Sequence, residues 1–171
     1  MADTLTAQIK ASLHWLFQES LDLATVEDDA KLEYDEALAD GTADDQADKV
    51  WHDSRTLAAA TNDDLDLTAL TNSIFGSTVT ISFAKIKAIL IINLATTAGD
   101  DLTIGGAAAQ EWTAWVGAAG DKARVPADSC LLISNKKTGW TVTDGASDTL
   151  RITNIGANPV SYKIAVLGTS A

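Results

Sequence analysis

The side chains that could do chemistry are few. The chain has two histidines, and only one has polar company, in Trp51-His52-Asp53-Ser54-Arg55. Serine, histidine and aspartate support acyl transfer only when three side chains converge in space, and adjacency along the chain does not supply that. No serine sits in a G-x-S-x-G elbow. His14 falls among the polar positions of an alternating stretch, where a solvated imidazole titrating near neutral pH is the simpler reading. Asp40, Asp44, Asp45 and Asp48 offer oxygen ligands of the kind calcium takes. They lack the D-x-D-x-D-G spacing and closing glutamate of an EF-hand, so a solvated acidic loop is favoured. Glu27, Asp28 and Asp29 read as a solvated turn on the same grounds. Gly105-Gly106 is not a phosphate loop, because no G-K-[ST] follows. Cys130, beside Leu131, Leu132 and Ile133, reads as a buried apolar thiol. Trp15, Trp51, Trp112, Trp115 and Trp140 could stack on sugar rings, but in a small β-domain most tryptophans are core or subunit interface. The expectation is a protein that is not an enzyme and has no cofactor or metal site.

The elements that would position these residues are strands. Thr78 to Leu94 organises the rest: Val79, Ile81 and Phe83 alternate with Thr80 and Ser82. After Ala84 the apolar set becomes Ile86, Ala88, Leu90 and Ile92, one position out of phase. A one-residue slip moves side chains to the other face, so a bulge or a break between two strands is expected near Ala84–Lys85. From Ala88 to Ile92 both faces are apolar, as in a central strand covered on both sides. At the beginning, Leu5, Ala7, Ile9, Ala11, Leu13, Trp15 and Phe17 all take odd positions, giving a long amphipathic strand. Ile9, Leu13 and Leu16 also fit a helical stripe. Such a strand needs a partner, or its edge is sticky. Leu21 to Ala30 reads as an acidic connection, and Lys31 to Leu38 as a second strand ending at the Asp40-Gly41 turn. From residue 71 onward short strands alternate with turn signals, including one with Trp112, Ala114 and Val116 on one side and Trp115 on the other. Val160, Tyr162, Ile164 and Val166 close the chain as an alternating strand. The pattern implies an all-β fold, an antiparallel β-sandwich or jelly-roll-like domain over residues 31–171, preceded by a strand or arm and acidic connection over residues 1–30.

The 171 residues can bury a core without disulfides or metals. One cysteine excludes an internal disulfide framework. The opening residues lack the basic and apolar regions of a secretory signal, and no run approaches the length of an apolar span, so no membrane role is expected. Net charge is −12, and residues 1–70 carry 17 carboxylates against 4 basic side chains. Residues 71–171 carry 7 against 8, so the two halves are differently employed. An acidic surface repels phosphate backbones, which disfavours nucleic acid as a partner.

The segment DGTADDQADKVWHDSRTLAA, followed by DLDLTAL and FGSTVTISFAKIKAILIIN, resembles small virion proteins of tailed bacteriophages. The likeness extends over roughly residues 30 to 168, through LTIGGAA, the Trp112 segment, LLIS, GWTVTDG, DTLRITN and VSYKIAVLG. It implies a β-sandwich or jelly-roll-like fold and a structural place in the virion. Within that class the first expectation is a capsid decoration, or cement, protein on the outer surface of the head. It would be made in the host cytoplasm, bind the major capsid protein and form a homo-oligomer, with a trimer favoured. The alternative is a tail or fibre-base component that binds another tail protein or host glycan, for which exposed Trp112, Trp115 or Trp140 would be the sign. The interface candidates are Leu5, Ala7, Ile9, Leu13, Trp15, Phe17, Trp51, Trp112 and Trp115, with the first strand available for addition to a neighbour's sheet edge.

Overall fold

The computed structural model describes residues 4–74 and 77–171, and Phe75 and Gly76, which open the FGSTVTISF segment, lie outside them. No helix occurs among the described residues, and all the sheets are built from antiparallel neighbours except one short parallel contact. In chain order the strands are β1 (Ala7–Ser20), β2 (Thr25–Asp40), β3 (Gln46–Ala47), β4 (Lys49–Leu57), β5 (Asn62–Asp66), β6 (Leu70–Ile74) and β7 (Ser77–Ile81). They continue with β8 (Lys85–Asn93), β9 (Leu102–Ile104), β10 (Ala123–Val125), β11 (Ser129–Ser134), β12 (Trp140–Thr141), β13 (Thr149–Asn154) and β14 (Val160–Thr169).

Two sheets form the body. One runs β11-β8-β14-β4, with β12 also pairing β8, and the other runs β10-β9-β13-β5. Consecutive strands β4 and β5 fall in different sheets, as do β8 and β9, β10 and β11, and β13 and β14. This is the strand order of a jelly roll. The hairpin β6–β7 is inserted between β5 and β8. Alternation explains the core. Tyr162, Ile164 and Val166 of β14 stand beside Ile91 and Ile89 of β8 and Trp51 of β4, all buried. Leu65, Leu102, Ile104, Leu150 and Ile152 face them from the second sheet. Trp51 and Trp112 are fully enclosed, and each indole donates to a backbone carbonyl, Trp51 to Thr71 at 3.0 Å and Trp112 to Thr141 at 2.9 Å.

The expected phase slip is real. β7 ends at Ile81 and β8 begins at Lys85, with Phe83 buried between them. A second irregularity lies opposite, where the β8–β14 register shifts between Leu167 and Gly168. Lys87 is the extra residue of that bulge. Its side chain is buried and its ammonium donates to the loop carbonyls of Ala43 and Lys137. Gly168 is required by close approach, since a Cβ there would stand 2.1 Å from the Lys85 carbonyl oxygen.

Three expectations are corrected. The acidic stretch 25–30 is strand, not connection: the turn is Leu21–Ala24, closed by a 2.8 Å bond from Leu21 N–H to the Ala24 carbonyl. A division at residue 30 therefore cuts through β2. The reason is parity: Val26 and Ala30 continue the even apolar positions of Leu32 and Tyr34, while Glu27 and Asp29 take the other face. The segment around Trp112 is not a strand but a chain of turns, paired only by a single bridge of Glu111 with Thr149 and flanked by glycines 105, 106, 117 and 120. Cys130 is exposed, because in β11 it occupies an outward position between the inward Ser129 and Leu131.

Candidate assembly interface

β1 and β2 form a two-stranded ribbon in unbroken register, from Ala7 opposite Leu38 to Ser20 opposite Thr25. Fourteen paired residues give a length of roughly 45 Å at about 3.4 Å per residue. Directly paired residues share a face, so each face can be read from the register. One face carries Ala7, Ile9, Ala11, Leu13, Trp15 and Phe17 from β1, with Leu38, Tyr34, Leu32, Ala30 and Val26 from β2, interrupted by Glu19, Asp28 and Glu36. The other carries Gln8, Lys10, Ser12, His14, Leu16 and Gln18 against Ala37, Asp35, Glu33, Lys31, Asp29 and Glu27, so it is polar apart from Leu16 and Ala37. Ion pairs lace this second face, Lys10 to Asp35 at 3.1 Å and Lys31 to Glu33 at 2.7 Å, and His14 hydrogen-bonds Asp29 at 2.7 Å. Exposed pairs of this kind contribute at most about 1 kcal/mol each, so they set the register and the face more than the stability.

Only the root of the ribbon touches the body. Ile9 and Leu38 are buried with Ala47 and Ala88, and Leu5, Ala7, Leu132 and Leu167 pack around them. Asp40 accepts the Leu5 N–H at 3.0 Å, and Lys136 bridges to Glu36 across the root. That contact outweighs the burial of Lys136 and raises its pKa. Beyond the root the apolar face is bare: Leu13 is 65% exposed, Phe17 65% and Leu32 69%, with Trp15, Val26 and Tyr34 exposed as well. The hollow between Leu13, Leu32 and Tyr34 is lined by ribbon residues alone. A two-stranded hairpin is marginal by itself in water, and this one extends most of its length without a body beneath it.

The outer face of the β11-β8-β14-β4 sheet is the surface the root rests on. Its outward residues form three rows across the strands: Ser134–Ala88–Leu167–Val50, Leu132–Leu90–Ala165–His52 and Cys130–Ile92–Lys163–Ser54. The ribbon root covers the first row. A groove of about 370 Å³ opens where Ile9 meets Leu90, Leu132 and Ala165. A second hollow of about 470 Å³ lies farther along, among His52, Ile92 and Lys163. The expectation that β8 is covered on both sides thus holds at Ala88 and is met only in part at Leu90 and Ile92, which are partly buried.

The chemistry-bearing residues have structural partners instead. His52 and Ser54 point outward from β4 while Asp53 points inward, so the three do not converge. Asp53 and Asp63 each accept from Arg55 at 2.8 Å, and Tyr162 donates to Asp63 at 2.8 Å. Burial opposes the charge of Arg55, yet the bonds to Asp63 and Asp53 prevail and raise its pKa. Burial, then Asp63, pushes the Tyr162 phenol up, so it stays a neutral donor. Asp40 is held by Leu5, Asp48 by the Ser170 backbone and hydroxyl, and Asp45 lies 3.6 Å from Lys136. Among the described residues no three His, Cys, Asp or Glu side chains gather as a metal site would need. Glu111 bonds the Gly106 and Gly120 N–H groups, fastening two glycine turns together.

Of the nine interface candidates, Ala7, Ile9, Leu13, Trp15 and Phe17 share one ribbon face, and Leu5, just before β1, packs against its root. Trp51 and Trp112 are core and reach no surface, and Trp115 stacks on Trp112 with ring centres 6.3 Å apart. The residues missed are those of β2 on the same face, Val26, Leu32 and Tyr34, and the outward rows of the sheet. Parity counting carried through the acidic run would have found the first set.

Fold and surface together define a class: a jelly roll carrying a long two-faced ribbon whose apolar side is uncovered. No family model matches the chain, and no curated protein does. Among solved structures, the chain is similar to one described under "Bacillus endospore appendages form a novel family of disulfide-linked pili", at 18% identity and a TM-score of 0.35. That match covers 77% of this chain and 97% of the other, and at that score it carries no weight for function. No helix among the described residues is long and apolar enough to cross a membrane.

Proposed function

We propose that this chain is a structural protein of a tailed-phage virion, a cement protein that binds the outside of the head shell and the major capsid protein there. The observation that carries the reading is the projecting ribbon, with one face laced by ion pairs and the other mainly apolar and exposed beyond its root. An apolar patch of this size on a soluble protein marks an interaction site. The sequence resemblance supplies the virion setting, and the acidic surface suits an outer position better than one against DNA. The ribbon is the assembly element, through which copies join into a homo-oligomer, with a trimer favoured. The oligomer then engages several shell subunits at once, which multiplies weak contacts. Stabilisation follows mass action: a ligand bound only to the assembled shell adds RT ln(1+[L]/Kd), about 2.7 kcal/mol at one hundred times Kd.

The tail or fibre-base reading draws less support: Trp112 is buried, and Trp115 and Trp140 are partly buried against the core beside it.

Co-sedimentation of the full chain with assembled, undecorated shells tests the proposal. Saturable binding with a rise in the temperature of shell disruption is the expected result. Shells that neither bind the chain nor gain stability at any concentration contradict it.

A further inference from the structure

We propose that the apolar face of the β1–β2 ribbon seats on the outer face of the β11-β8-β14-β4 sheet of a second copy of this chain. The inference rests on the assembly role given to the ribbon, but not on the virion setting.

Three observations converge on that occupant. The first is continuity. Each chain already packs its ribbon root, Ile9 and Leu38, on the first outward row through Ala88, Leu132 and Leu167. The next two rows offer the same kind of surface, Leu90 and Ile92 with Ala165 beside them, and the groove at Ile9 opens directly onto them. The second is the composition of β8, which is apolar on both sides but covered on only one beyond Ala88. A strand patterned for two-sided burial calls for a second cover.

The third is charge. In a chain of net −12, the outward rows of this sheet contain no carboxylate, while Lys163 and His52 stand among them. Residues 5–40 hold nine carboxylates and two basic side chains. The ribbon is thus a negative, apolar-faced element, and the sheet face, whose outward rows carry Lys163 and no carboxylate, complements it. A chain's own ribbon does not fill this place. Past Ile9 and Leu38 its apolar face meets no residue of the body cluster, and its central hollow is lined only by Ala11–Leu13 and Leu32–Tyr34.

Ribbon on sheet joins two different surfaces. Unless two copies exchange ribbons reciprocally, such a contact closes into a ring or runs on as a filament.

The outward Cys130, beside Ile92, supplies the probe. Leu32→Cys in a Cys130→Ser chain is mixed with size-tagged wild-type protein and mildly oxidised. A mixed disulfide between the two sizes is expected on a non-reducing gel. Glu33→Cys in the same background, on the opposite ribbon face, should give at least tenfold less. Leu13→Asp with Leu32→Asp should shift the hydrodynamic mass to that of a monomer without lowering the melting temperature, and Lys163→Glu should weaken association in the same direction. Absence of the mixed disulfide overturns the proposal, whatever the oligomeric state. So does equal linking from Leu32→Cys and Glu33→Cys, and so does thiol loss in a Leu32→Cys chain that keeps Cys130 but forms no dimer band, because its own ribbon then occupies the face. Shell binding without the disulfide would leave the cement reading standing and remove this contact. The disulfide without shell binding would do the reverse.

Discussion

At the scale of single residues, the polar side chains of this protein secure loops and strand ends. Arg124 hydrogen-bonds Asp101, aided by the Ala127 N–H, and Arg151 grips Asp64 through two nitrogens. The arginine bond is the main reason each carboxyl is held below its ordinary value, against the opposing effect of burial. A carboxyl with a lowered folded pKa contributes stability above its unfolded pKa, about 3.9, and loses it as pH falls through the folded value. Thermal melts should therefore be nearly flat from neutral pH to about pH 5 and drop below about pH 4. Arg124→Gln should lower the neutral-pH melting temperature and shrink that acid-side drop. An Arg124→Gln variant that melts like wild type across the range would remove the pair from the account. Tyr162→Phe deletes the donor to Asp63 in a half-buried cluster and should cost about 0.5–1.5 kcal/mol in denaturant unfolding.

Between strands, what decides the structure is which face each side chain takes. The odd-position alternation from Leu5 to Phe17 was readable from the sequence, and so was the phase slip before Lys85. The partner of the first strand was not, because Glu27-Asp28-Asp29 has the composition of a turn. Its even residues belong to an apolar face, and Asp28 sits on that face accepting from the Trp15 indole at 3.1 Å. Cys130 was misread for a related reason: its neighbours are apolar, but the outward face of its sheet is open. Register at the bulge can be tested directly. Gly168→Ala places a methyl against the Lys85 carbonyl and should destabilise by about 1–3 kcal/mol. Ile9→Ala truncates one of the two large buried side chains at the ribbon root, and amide exchange should then accelerate through β1 and β2 while β8 and β14 stay protected. Uniform acceleration across the body would show that ribbon and body unfold as one unit.

The whole molecule divides into a closed part and an open part. The body was legible as a class because alternation and turn signals recur along residues 31–171, and that pattern yields a sandwich in jelly-roll order. The order itself was not legible, since it depends on which distant strands pair, and Val160–Thr169 finds its neighbours at Lys49–Leu57 and Lys85–Asn93. Nor did the sequence separate tryptophans that anchor the core from one that faces solvent, because both kinds sit in alternating stretches. The open part, ribbon and outward sheet face, is where we propose that a second molecule docks. Cryo-electron microscopy of virions carrying this chain tests that claim most directly. The account predicts copies arrayed over the outer head shell, each with its ribbon lying across the β11-β8-β14-β4 face of a neighbour. Copies found only on the tail, or on the head with ribbons reaching into solvent, would contradict it.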